Sequence, residues 1–263
     1  MEYLVVFKKN GILDYKDIEG YETRNISTFR CIQEADKIYN FKDFKIIIHT
    51  GDGDKCKNDY SYSKITMNNL VPDFNFDSWP QVGINDYTST VKEMEIIGQM
   101  PAKISKVGWI GNINTNLMRK KLWGYGRVNP RLDIINMSWS PSSAIKLNAS
   151  TFLSMPELVE TYSFLIDIEG YGYSGRLKYL LWSNRPILLV ERPYKEYFFE
   201  HLKEWEHYIP VKRNLSDLIE KTNWCFDNPE KAAEIAKNAL EFSKTHLTRE
   251  ACYSRWNEII VNL

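Results

Sequence analysis

The chain has 263 residues, enough for one large α/β domain or two small ones with a core that needs no disulfide or metal staple. Lys plus Arg number 34 and Asp plus Glu 34, so the formal net charge is zero and no charge excess points to nucleic acid or an anionic membrane. With Trp 8, Tyr 16 and Phe 12 the chain is rich in aromatic residues, which serve packing and whose apolar faces and polar tips also suit sugars.

The opening MEYLVVFKKNG reads as a strand and a turn. It lacks a basic segment followed by an apolar core of roughly 7–15 residues, so no signal peptide is expected. No run approaches the roughly 20 apolar residues of a membrane-spanning helix. Cys31, Cys56, Cys225 and Cys252 form no C-x-x-C pair, and His49, His201, His207 and His246 show no metal-ligand spacing. The expectation is a cytoplasmic protein without structural zinc.

Strands are predicted at 2–7, 44–50, 106–111, 132–137, 162–169 and 186–190. Helices are predicted around 28–39, 115–123, 155–162, 175–183, 194–205, 215–227, 229–246 and 249–262. This alternation argues for α/β architecture with parallel sheet flanked by helices. Residues 51–92 read mainly as loop. Asn228-Pro229 offers an N-cap with proline at the first helical position, and Thr248 offers a cap for the last helix. Cys252, Trp256, Ile259, Ile260 and Leu263 form one stripe on that helix, which is expected to dock on folded structure. GQMPAKIS, residues 98–105, divides two patterned halves. The expected organisation is an N-terminal α/β lobe over 1–100, a second lobe over 101–247, and a helix over 248–263 packing back on the first. A ligand would sit beyond the carboxyl ends of the strands.

GYGYSGR, residues 170–176, spells G-x-G-x-x-G between a strand and a helix, with Glu191 some twenty residues on. That is the written form of a dinucleotide fingerprint. Three features speak against a nicotinamide site. Several α/β units precede the motif. Asp167 and Glu169 stand just upstream, where a pyrophosphate would lie. Arg176 follows the last glycine. A helix N-terminus with Ser174 and a guanidinium reads better as a grip on the diphosphate of a nucleotide-sugar. Glycines that merely turn the chain remain an alternative.

The blocks YSYSK (60–64), VPDFNFDSW (71–79), VGWIGN (107–112), SGRLKYLL (174–181) and WEHYIPVKRNLSDL (205–218) together resemble glycosyltransferase family 90. The resemblance covers most of the chain from about residue 44. That family holds the protein O-glucosyltransferases of the Rumi type and the capsule-associated xylosyltransferases, and this chain looks like its compact bacterial or large-DNA-virus members. The resemblance implies a GT-B-like architecture: two Rossmann-like lobes, a cleft between them, and the nucleotide on the C-terminal lobe. It implies an inverting transferase that needs no metal or other cofactor. A sugar, glucose or xylose, would pass from a UDP-sugar to a hydroxyl of a glycan, glycolipid or glycoprotein, in the host cytoplasm for a viral protein.

By the same resemblance Asp52, in KIIIHTGDGDK, matches the catalytic aspartate. Arg176, Ser174 and Gly175 match the donor-diphosphate grip. Gly111, Asn112 and Arg119 match the loop and helix after the first strand of the nucleotide lobe, with Lys120 the other cation in register. His207 and Tyr208 read as structural. The disulfides and longer N-terminal region of the animal enzymes are not visible in this sequence, so a folded epidermal-growth-factor-like acceptor is not expected. Asp52-x-Asp54 is also a D-x-D pair of the kind that holds Mn²⁺ or Mg²⁺ in other transferases. The SGR grip favours the metal-free reading, because cationic side chains can stabilise the leaving diphosphate instead. A catalytically silent nucleotide- or carbohydrate-binding module and an NAD(P)-dependent oxidoreductase are the remaining alternatives.

Overall fold

The computed structural model describes residues 2–53, 59–137 and 152–263. β1 (Tyr3–Lys9) and β2 (Ile12–Ile18) form a hairpin. Its turn is Asn10-Gly11, with φ of 52° and 77°. Two positive φ values match the twist of the flanking strands, and Asn-Gly tolerates them. α1 (Glu22–Tyr39) then leads to β3 (Phe44–His49), which lies antiparallel to β1 and parallel to the short β4 (Tyr60–Ser61). The order is β2-β1-β3-β4. This first sheet is therefore mixed, where the sequence suggested parallel strands. The cause is the two-residue connection, which only antiparallel neighbours accept. β2 is mostly exposed, and only Leu13 and Tyr15 turn towards the core, too short an alternation to mark it as a strand.

Two short 3₁₀ turns, Phe74–Phe76 and Pro80–Val82, precede α2 (Tyr87–Gly98), a helix the sequence reading left within and just beyond a loop. Asp86 caps it by accepting from the Ser89 amide at 2.7 Å.

The second half alternates strand and helix: β5 (Ile104–Gly111), α3 (Leu117–Val128), β6 (Leu132–Asn136), α4 (Met155–Thr161), β7 (Tyr162–Asp167), α5 (Leu177–Leu181) and β8 (Ile187–Val190). β9 (Ile209–Val211), α6 (Leu218–Asp227), α7 (Pro229–His246) and α8 (Arg249–Val261) complete it. The sheet is fully parallel, ordered β6-β5-β7-β8-β9. Helices cover both faces, which is why β7 and β8 are nearly continuous apolar runs.

The helix expected over 194–205 is only a 3₁₀ turn, Tyr197–Glu200. Tertiary contacts override its helical pattern: Lys195 exchanges backbone hydrogen bonds with Lys64 at 2.8 and 3.0 Å, and Glu196 turns inward to an ion pair. Asn228 stands before Pro229, but its side chain donates to the Trp224 carbonyl of α6 rather than capping α7. Thr248 does cap α8, accepting from the Ala251 amide at 3.0 Å.

One hydrophobic cluster runs through both halves, from Leu4, Ile48 and Phe76 to Tyr179, Leu180 and Trp256. A second lies under the other face of the parallel sheet, around Trp109, Ile166 and Val190. α8 packs on α1. Buried polar groups bind the halves further. Lys178 of α5 meets Asp73 at 2.9 Å and Glu196 at 2.8 Å, all three almost fully buried. Arg249 donates to the carbonyls of Phe76 and Asp77 and pairs with Asp86 at 2.8 Å. No helix among the described residues is long and apolar enough to cross a membrane.

Candidate active site

In the strand order β6-β5-β7-β8-β9, chain direction reverses its lateral progress between β5 and β7. Open α/β sheets bind ligands at that switch point, beyond the strand carboxyl ends. A cavity of about 390 Å³ lies there. Its lining contains Asp52, Gly111, Asn112, Arg119, Ser174, Gly175 and Arg176, so all seven residues singled out in the sequence meet in one place. Lys120 is exposed and does not line it.

The loop after β5 begins the site. Asn112 caps a 3₁₀ turn by accepting from the Asn114 amide, and Asn116 caps α3 by accepting from the Arg119 amide. The Asn116 amide group also donates to the carbonyls of Glu169 and Gly170, which ties the two strand ends together. Arg119 therefore leaves the first turn of α3 buried. Its Nε donates to the Glu169 carbonyl at 2.8 Å and its Nη2 to that of Ile168 at 3.3 Å. Burial, and next the charge of Arg176, bring the Arg119 guanidinium down to about 9, so it remains a cation at neutral pH.

Arg176 is half-buried and donates to the Ile110 carbonyl. Burial lowers its pKa, and Asp167 works against that. The two guanidiniums flank Trp109, at 5.3 and 5.5 Å from its ring centroid. Behind them Asp167 accepts from Ser174 Oγ and from Arg192 Nη2, each at 2.7 Å. The Ser174 hydroxyl hydrogen is thus committed to Asp167, and the contribution of this serine is to fix the SGR turn. α5 is only five residues long, so little helix dipole reaches the site and the cationic character comes from the arginines.

Asp52 enters from the other half, three residues beyond His49 at the end of β3. Its Oδ1 accepts from Arg24 Nη1 at 3.0 Å. The loop carrying it touches the glycine motif backbone to backbone: a Cβ on Gly172 would lie 2.6 Å from the Gly53 nitrogen. One on Gly175 would lie 2.5 Å from Asn75 Nδ2, which donates to the Gly175 carbonyl at 3.1 Å. At Gly172 the opposing backbone leaves no room for a Cβ; at Gly175 the Asn75 amide and the Trp79 ring would have to give way. Asp54, the partner of Asp52 in the D-x-D reading, lies outside the described residues.

Sequence reasoning missed Arg24, Asn75, Trp79 and Tyr173, which also line the cavity. The sequence predicts that helix only from about 28, which puts Arg24 in a loop; α1 begins at Glu22. Among the described lining residues three arginines, Arg24, Arg119 and Arg176, stand against one carboxylate, Asp52. Such a cavity favours a multiply charged anion, and the mutual repulsion of Arg119 and Arg176 falls when one arrives. His207 is structural, as expected: its Nδ1 accepts from the Lys203 amide at 3.0 Å, and burial lowers its pKa.

The chain is thus an α/β protein with a cation-lined cavity at the switch point of its parallel sheet. The sequence pattern of Glycosyl transferase family 90 matches residues 58–262, and the chain belongs to that family. Protein O-glucosyltransferase 3 of Homo sapiens is 33% identical over 99 residues, 38% of this chain and 20% of that protein. Protein O-glucosyltransferase 2 of Danio rerio is 26% identical over 190 residues, 66% of this chain and 38% of that one. Protein 179R of Invertebrate iridescent virus 6 is 39% identical over 115 residues, 41% of this chain and 10% of that one. The matches thus span less than half the length of each of these relatives. Among solved structures, Anabaena HepE in complex with UDP-glucose aligns with 65% of this chain and 45% of its own, at 12% identity and a TM-score of 0.42. Family membership sets the nicotinamide reading aside.

Proposed function

We propose that the protein is an inverting, metal-independent glycosyltransferase that moves glucose or xylose from a UDP-sugar to a hydroxyl of a glycan, glycolipid or glycoprotein. The observation that supports it is a single cavity lined by a carboxylate from one half and two guanidiniums, one buried and one half-buried, from the other. Asp52 takes the proton of the acceptor hydroxyl as its oxygen attacks C1. The bond from C1 to the diphosphate oxygen breaks, and UDP leaves with the electron pair. Arg119 and Arg176 stabilise the charge that develops on the diphosphate. Gly111, Asn112, Ser174 and Gly175 shape the donor pocket between them. Asp52 returns its proton to solvent after transfer.

The test is thermal unfolding with UDP, UDP-glucose, UDP-xylose, GDP-mannose and NADH, each with EDTA and with Mn²⁺. Binding to the native state raises the midpoint by mass action. A UDP-specific rise that persists in EDTA is expected, and Arg176→Met should weaken UDP roughly tenfold to a hundredfold, as loss of a charge-assisted phosphate contact implies. A rise that requires Mn²⁺ would move Asp52 to a metal-binding role. UDP binding without any turnover of a UDP-sugar would leave a silent binding module.

A further inference from the structure

We infer that Arg24 is the positioning residue of Asp52: it holds one carboxylate oxygen so that the other faces the attacking hydroxyl. This rests on the reading of Asp52 as the base. Asp52 stands between Gly51 and Gly53, and a turn of that composition has little rigidity of its own. Its aim must therefore come from outside the loop. Arg24 supplies two fixed points. The same Nη1 donates to Asp52 Oδ1 at 3.0 Å and to the Thr50 carbonyl at 3.2 Å. One guanidinium thus pins both the strand end and the carboxylate two residues later.

Arg24 is itself held. It sits in the first turn of α1, and its guanidinium carbon lies 4.5 Å from the centroid of the Tyr21 ring and 5.1 Å from that of Phe74. Two aromatic faces restrict a side chain that would otherwise be mobile. The Arg24 and Asp52 side chains are 19% and 35% exposed, so the pair forms cavity wall rather than a free surface bridge. Surface ion pairs add little to stability, and this one has a positional role instead.

The experiment reads UDP release from UDP-glucose and UDP-xylose, with water in the acceptor's place, and measures UDP binding separately by thermal shift. Arg24→Met is expected to lower kcat about 10- to 100-fold, the cost of a carboxylate displaced by roughly an ångström. The KM for the UDP-sugar and the UDP-induced shift should stay within about twofold, since the donor is held elsewhere. Arg24→Lys should recover part of kcat, because an ammonium can reach Oδ1 without spanning both acceptors. The retained UDP shift shows that each variant is folded. Asp52→Asn separates the two claims. If Asp52→Asn releases UDP at the wild-type rate, or if wild type releases none from either sugar, the base reading fails and this inference with it. If Asp52→Asn is inactive while Arg24→Met keeps kcat within about twofold, the base stands and the positioning role is overturned. A raised KM with unchanged kcat in Arg24→Met also overturns it, by making Arg24 a donor ligand.

Discussion

Replacing Lys178 by methionine tests whether the two halves are joined through charge as well as through apolar packing. The Lys178 ammonium has three acceptors: Asp73 Oδ2 at 2.9 Å, Glu196 Oε1 at 2.8 Å and the Gly175 carbonyl at 3.2 Å. The lysine side chain is 0% exposed, and those of Asp73 and Glu196 are 1% and 3%. Burial pulls its pKa down, but the two carboxylates more than offset that and the net shift is upward, so it is a cation. Methionine fills nearly the same volume and leaves two buried carboxylates without their counter-charge. Breaking a buried pair in this way costs about 3–5 kcal/mol. For a domain of this size, with roughly 2–4 °C per kcal/mol, the midpoint should fall by about 6–20 °C. Thermal unfolding reads that midpoint, and urea unfolding followed by tryptophan fluorescence measures the free-energy loss, at pH 5.5 and at pH 8. Burial, only partly countered by Lys178, raises Glu196 to about 7, so at pH 5.5 that carboxyl is neutral and needs no partner. The penalty of Lys178→Met should therefore be smaller at pH 5.5 than at pH 8. A loss below about 1 kcal/mol, or one that does not grow with pH, would refute the reasoning.

Glu196→Gln isolates the same carboxyl. Its folded pKa, about 7, lies above the unfolded 4.5, so the native state binds the extra proton between those values and loses stability as pH rises through them. The wild type should give up as much as roughly 3 kcal/mol over that interval, and the glutamine variant should show a flatter stability profile; equal slopes would sink the assignment. Gly172→Ala would put a methyl 2.6 Å from the Gly53 nitrogen, where no side-chain rotation relieves it. The two loops must separate, at a cost of about 1–3 kcal/mol. Stability and UDP-sugar turnover both equal to wild type would show that the loops do not need this contact.

Much of the architecture was legible because each signal was local. All six predicted strands are present, and most of the apolar residues that marked them are buried in the two clusters. What escaped depended on contacts distant in sequence. β2 shows only Leu13 and Tyr15 on its inner side, because its neighbours cover so little of it. The pattern at 194–205 looked helical, yet Lys195 bonds to Lys64 and Glu196 to Lys178, and neither partner can be seen from the local sequence. The candidate site divides in the same way. Asp52, Arg119 and Arg176 follow strand ends and helix starts, where α/β chemistry gathers. Arg24 and Asn75 reach the cavity only because α1 and the Phe74–Phe76 turn fold over it.

The glycine motif shows why a spelling can be right and its usual meaning wrong. In a dinucleotide fold the spaced glycines let a pyrophosphate approach the backbone. Here the object approaching the backbone is the chain itself: Gly53 faces Gly172, and Asn75 faces Gly175. The physical demand, a surface without Cβ atoms at a strand-to-helix turn, is the same in both cases, so the letters converge. The difference is in the charges around it. The glycine loop is pressed against the loop that carries Asp52, and the residue that follows it is an arginine that lines the cavity. Close contact between the loops thus does two things at once: it closes the cavity, and it sets the position of the one lining carboxylate among the described residues relative to the guanidiniums across from it.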